Sequence, residues 1–278
     1  MSPSSLANRL RPPLHKANLI SRHEFEKIDC AKLQEMLASL LSHFQALIKV
    51  LLKIETRIST HWSVPAKVVR IAMKGIVQHL RANSEYLSKL LHLVARGARN
   101  ILHFVGSCIK ESHGLKDFND CQDLKPLLSA LSVLHSQFQE ERTGIEAFGM
   151  TLSDATTVLE HAMDPDNYQP GSPPSRFILE LSSTHSSLSS SLSSLSTFFK
   201  DLPISTWNPP LLSPEDVKSV AHSWRTLDDQ SESTAQSVDE WSERLIDHSI
   251  KCKFFSRKEA GEMFGFDYEE EEHGMEVD

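Results

Sequence analysis

Fourteen histidines and four cysteines could support metal, nucleophilic or acid-base chemistry if the chain gathered them, so their spacing is the first thing to read. It gathers none of them. The sequence holds no HExxH, no Cys/His pair at zinc-finger spacing, no P-loop, no GxGxxG and no GxSxG. A carboxylate centre of the di-iron kind needs inward Glu together with Glu-x-x-His on neighbouring helices, and no Glu-x-x-His falls on a helix that the pattern predicts. Glu141, the lone acid on an apolar seam, has Arg142 beside it and reads as a snorkelling or paired side chain. Glu160-His161 and the isolated helical histidines read as solvent-facing or core-edge residues. Cys30, Cys108, Cys121 and Cys252 have no CxxC or paired spacing, and Cys30, Cys108 and Cys252 fall on core positions, as buried reduced thiols of a cytosolic protein would. These residues predict no catalytic centre, no metal and no cofactor.

Charge supplies chemistry of another kind. Eight basic residues stand against one acid between residues 65 and 110: Lys67, Arg70, Lys74, Arg81, Lys89, Arg96, Arg99 and Lys110. Most of them fall on the outer positions of a helix whose seam is apolar, so one side packs and the other is positive. Two readings stand. The row is solvated charge that complements residues 111–175, where eleven acids meet three bases. Alternatively it tracks an anionic membrane surface, each nearby Lys or Arg adding about 1 kcal/mol at low salt. A second candidate is Lys251, Lys253, Phe254, Phe255, Arg257 and Lys258, where basic and aromatic residues interleave as they do at membrane interfaces and Cys252 offers a lipidation site. Against it stands the spacing, by which Cys252 and Phe255 finish a helical seam.

What must position these residues is a set of long helices. From Glu24 to about Ser59 the series Cys30, Leu33, Leu37, Leu40, Phe44, Leu47, Leu51, Ile54, Ile58 keeps alternating spacings of three and four. The basic stretch does the same through Met73, Ile76, Leu80, Leu87, Leu90, Val94 and Ile101, interrupted at Asn83 and Gly97, and the next stretch is broken only at Glu141. Residues 182–197 are mostly Ser and Thr, yet Ile178, Leu181, Leu188, Leu192, Leu195 and Phe199 hold the period, which predicts a helix that folds only against the rest. Ser213-Pro214-Glu215-Asp216 is a helix start. The expectation is an all-α protein: an elongated antiparallel bundle of about five heptad-patterned, coiled-coil-like helices near 24–60, 65–113, 117–163, 176–202 and 213–255. A basic arm, 1–23, precedes it, and an acidic tail, 259–278, with nine acids and no base, follows; both are expected to be disordered. The arm overlaps in composition with mitochondrial presequences, but Pro12 and Pro13 spoil the amphipathic helix these need. Uninterrupted apolar runs fall short of the roughly 18–20 residues of a membrane span, so the chain is expected to be cytoplasmic, peripheral to membranes at most.

Three consecutive long helices, a basic second one and a Pro-broken loop after the third resemble the plan of BAR-domain proteins, which are crescent-shaped helical dimers that bind and bend anionic membranes. The resemblance covers about half the chain. It implies a peripheral, curvature-associated protein using the basic helix. The residues by themselves predict a non-enzymatic scaffold or adaptor that binds protein partners through long helical faces. Self-association is expected because apolar stripes this wide are hard to cover within one chain. The net charge of −8 argues against nucleic acid as a partner.

Overall fold

The computed structural model describes residues 30–111, 124–171, 173–201 and 214–265, with side chains at 104–111, 124–132, 214–217 and 220 left aside. The basic arm, the acidic tail beyond Gly265, the Lys110 side chain and the Ser213 cap therefore lie outside the described residues, whereas residues 259–264, expected to belong to the disordered tail, are helical. All regular structure within them is helical: α1 Cys30–His61, α2 Lys67–Glu111, α3 Leu124–Met163, α4 Arg176–Lys200, α5 Pro214–Lys251 and α6 Arg257–Phe264.

Local chemistry accounts for these spans. α1 contains no Gly or Pro across 32 residues, and its predicted seam from Cys30 to Ile58 is buried throughout, at 7% exposure or less. It is also long and apolar enough to cross a membrane by length and composition, which amends the expectation that no segment is; here its seam is packed against protein. α3 is described from Leu124, with Pro126 two residues on, and the expected start near 117 lies outside the described residues. The Ser-rich segment is indeed helical, with Ser175 as N-cap accepting from the Ile178 N–H.

The main packing contacts run α2 on α5 and α3, α3 on α4, and α1 on α4 and α5. α1 and α2 are consecutive in sequence, yet they do not pack on each other among the described residues. Cross-helix bonds give directions. Along α2 and α5, Ser84 pairs with Ser242, Ser88 with Asp239, and Arg99 with Asp228, so the two run antiparallel. The C-terminal ends of α1 and α3 lie together, because Arg57 Nε and Trp62 Nε1 donate to the carbonyls of Met163 and Ala162. α3 and α4 approach closely at one point. A β-carbon on Gly149 would lie 2.5 Å from the His185 ring, whose Nε2 donates to the Ile145 carbonyl at 2.6 Å. Gly149 is thus the space that lets this histidine cap the α3 backbone.

The C-terminal end departs from the sequence reading. α5 stops at Lys251, not at Phe255. Lys253 takes a left-handed φ of 60°, and its N–H and that of Phe254 reach back to the carbonyls of Ile250 and Ser249, which is the Schellman pattern with Lys where Gly is usual. The chain then enters α6, an element the seam pattern does not announce. Ser256 and Glu259 form a reciprocal capping box at its start, and Gly265 ends it in the left-handed region.

Candidate functional site

The basic row of α2 divides into two stripes. Arg70, Lys74, Arg81 and Arg99 turn toward α5 and α6. Lys74 Nζ lies 2.5 Å from Glu259 Oε1 and 5.5 Å from the Phe255 ring centroid, and Arg70 reaches the same carboxylate at 3.5 Å. With the Lys74 ammonium and the Ser256 N–H on it, the Glu259 carboxyl is held well down, at about 2. Arg81 pairs with Glu85 on its own helix at 2.9 Å and touches Ser242. Arg99 reaches Asp228 at 3.1 Å and also bonds Glu232. The charge complement of this stripe is therefore the fifth and sixth helices, not the acidic third helix. Lys67, Lys89 and Arg96 are exposed and make no ion pair among the described residues.

Those three cations share the outer face of α2 with apolar groups. Val64, just before the helix, then Val68, Ile71 and Leu93 are 55%, 58%, 59% and 38% exposed. Val68, Ile71 and Leu93 recur at spacings of three and of sums of three and four, the helical repeat that keeps side chains on one stripe, and Val64 sits in the bend that leads into it. Gly75, Gln78 and Ala82 fall between them on the same stripe.

The second basic and aromatic candidate comes apart. Lys251, Lys253, Arg257 and Lys258 are exposed, but Phe254 and Phe255 are 0% and 2% exposed. Both aromatics are core, with Phe264 edge-on to Phe255 at 5.6 Å, so they cannot enter a membrane interface as expected. The reason is the turn at Lys253, which folds them beneath α6. The carrying signal was in the sequence as Ser256-Arg257-Lys258-Glu259, the capping-box spacing.

Two polar clusters lie inside the helices. Asn83 and Glu141, the breaks in two separate seams, meet across α2 and α3. The point where a Gly144 β-carbon would sit is 2.9 Å from Asn83 Oδ1 and 3.8 Å from Glu141 Oε2. Burial, with Glu140 next to it, pushes the Glu141 carboxyl up to about 9. It is a protonated acid at neutral pH, and the snorkelling read from Arg142 does not occur: Arg142 turns to Glu146.

The other cluster joins α1 to the end of α5. Glu55 is fully buried and lies outside the predicted seam. His248 Nδ1 lies 2.7 Å from Glu55 Oε2, and the Ser249 hydroxyl donates to Oε1. Cys252 Sγ is 3.5 Å from the same Nδ1. Cys252 is half-buried rather than buried as expected. The neighbouring Cys252 sulfur and Glu55 carboxylate raise the His248 imidazole to about 10, while burial raises Glu55 against the pull of its hydrogen bonds.

No protein-family model, curated protein or solved structure matches this chain. Its residues alone speak for its role. His248 and Cys252, the latter taken from the sequence only as a seam residue and lipidation site, are four apart, a local signal of their pairing that was legible. Glu55 has no such signal, because its partners lie nearly two hundred residues away.

Proposed function

We propose that the protein is a non-enzymatic helical scaffold that self-associates through the outer stripe of α2 and presents its long helical faces to partners. The carrying observation is that stripe: three of the eight large apolar side chains exposed among the described residues lie on it and a fourth, Val64, just precedes it, in a molecule whose predicted seams are, among the described residues, mostly buried within one chain. The wide apolar stripes that first motivated a dimer are thus covered internally, and the motive passes to this residual one. The occupant is a second copy of α2. Placed antiparallel about a two-fold axis near Gln78 to Ala82, the stripe sets Val68 against Leu93 twice over, with small residues Gly75 and Ala82 near the axis allowing close approach. Lys89 and Arg96 then lay their aliphatic stems over Ile71 and Val64 with the charges outward. In this reading the antiparallel bundle with its heptad seams is a rigid spacer, about 50–65 Å long at about 1.5 Å per helical residue.

Sedimentation equilibrium of the full-length chain tests this. A dimer at micromolar concentration is expected, converted to monomer by V68E/I71E with helicity unchanged. A monomeric wild type, or a dimer indifferent to the substitutions, overturns it. The BAR-like membrane reading is left with Lys67, Lys89 and Arg96 as described free cations. It would be supported instead if the monomeric wild type sediments with anionic liposomes at low salt and releases them at high salt.

A further inference from the structure

We propose that Glu55, His248 and Cys252 form a binding site for one divalent zinc-class cation, built between α1 and the turn that ends α5. The three ligand atoms lie within 4.8 Å of one another, and what matters is how they converge. Glu55 Oε2 lies 2.7 Å from the imidazole Nδ1, and Cys252 Sγ lies over the ring, 3.5 Å from Nδ1 and 3.9 Å from Nε2, while Nε2 itself faces Thr56 Oγ1. A nucleophile, base and acid relay uses opposite nitrogens of the ring, so this is not that arrangement. A nitrogen, an oxygen and a sulfur donor gathered in so small a space are what a zinc-class cation requires. Bond lengths of about 2.0–2.3 Å in a tetrahedral zinc site place N and S donors about 3.5 Å apart, the spacing Nδ1 and Sγ already have. To admit the ion the carboxylate must draw back by less than about 1 Å and the Cys252 side chain must swing from over the ring to the Nδ1 side, so that the ion takes the place of the proton between Nδ1 and Oε2.

The surroundings fit the same reading. Thr56 Oγ1 donates to the Leu52 carbonyl at 2.8 Å, so toward His248 Nε2, 3.2 Å away, it can only accept. The ring proton is thereby fixed on Nε2 and the Nδ1 lone pair is aimed into the cluster. The second carboxylate oxygen of Glu55 is held by Ser249. A histidine and a carboxylate each oriented by an outer hydrogen bond are the usual supports of a metal site. The charge also balances. Without the ion, imidazolium, carboxylate and thiol sum to zero. With it, Zn²⁺, neutral imidazole, carboxylate and thiolate again sum to zero, and two protons leave, one from Nδ1 and one from Sγ. A buried carboxylate therefore stays neutralised in either state. The mixed N, O, S donor set selects zinc-class ions over Mg²⁺ or Ca²⁺. The His248 side chain is 28% exposed, so the cluster borders solvent.

The test uses the full-length chain with Zn²⁺ in competition against a chromophoric chelator, and with Co²⁺ as a spectroscopic substitute. One equivalent should bind per chain with release of two protons, and Co²⁺ should show thiolate-to-metal charge-transfer absorption. Cys252→Ser should abolish that absorption and weaken Zn²⁺ at least tenfold, and Thr56→Val should weaken it about tenfold through ring orientation. Cys30→Ser, which removes a different buried thiol, should change nothing. The proposal is overturned if wild type gives no thiolate absorption with Co²⁺, or if the absorption survives in Cys252→Ser. It is equally overturned if His248→Gln binds Zn²⁺ as wild type does.

Discussion

Glu141 carries a carboxyl where its helix needs an apolar group, and the structure answers by keeping it protonated among Asn83, Gly144 and Glu140. The sign of the consequence follows from the direction of the shift. A carboxyl raised from 4.5 to about 9 holds a proton in the folded state that the unfolded chain releases. Its stabilising contribution is complete below about pH 4.5 and is lost progressively as pH rises toward 9, at about 1.4 kcal/mol per unit. Glu141→Gln keeps the shape and removes the proton. Urea unfolding at pH 5, 6.5 and 8 should show the variant gaining on wild type as pH rises, by on the order of 2–4 kcal/mol near neutrality. Parallel pH profiles for the two proteins would mean the carboxyl is not held protonated. At this scale the sequence was partly readable. Asn83 and Glu141 stood out as seam breaks, but spacing along two helices cannot say that the breaks face each other. Glu55 did not stand out, because an acid on a helix that also carries Glu35 and three lysines looks like any solvated charge.

Among the elements, the long helices were legible from their period and their ends were not. A repeat of apolar residues continues through Cys252 and Phe255 whether or not the backbone does, and nothing in that repeat reveals the left-handed residue at Lys253. That residue is also where the element can be improved. An L side chain in the left-handed region costs about 1 kcal/mol, and Lys253 is exposed, so Lys253→Gly should raise stability by about 0.5–1 kcal/mol in denaturant titration. Lys253→Ala, which retains the β-carbon, should not. Equal stability of all three proteins would show that the turn is held without strain. The capping box of α6 was readable as a motif. The sequence could not supply its connection to α2, where the Glu259 carboxylate that caps α6 also accepts Lys74 and Arg70. Ion pairing between segments so far apart has no local spacing to betray it.

For the molecule as a whole, the all-α class followed from pattern, and the order of packing did not. Short connections lead one to expect α1 beside α2, joined as they are by only the turn from Trp62 to Ala66. Instead α5 packs on both. A chain ending at residue 212 should therefore keep much helix by far-UV circular dichroism but bind a hydrophobic dye and lose its near-UV signal, since α1 and α2 each lose a covering helix and Glu55 loses His248 and Ser249. Native-like near-UV ellipticity in that fragment would contradict this. The same packing order bears on synthesis. Helical proteins ordinarily fold fast because their contacts are local, whereas here Glu55 waits for a partner 193 residues downstream. At about 5–20 residues per second on the ribosome, that is a delay of roughly 10–40 seconds during which a helix apolar enough to cross a membrane has no final neighbour on one side. A nascent chain in that condition is a substrate for chaperones, and slowing translation between α4 and α5 should lower the yield of folded protein more than slowing it after α6.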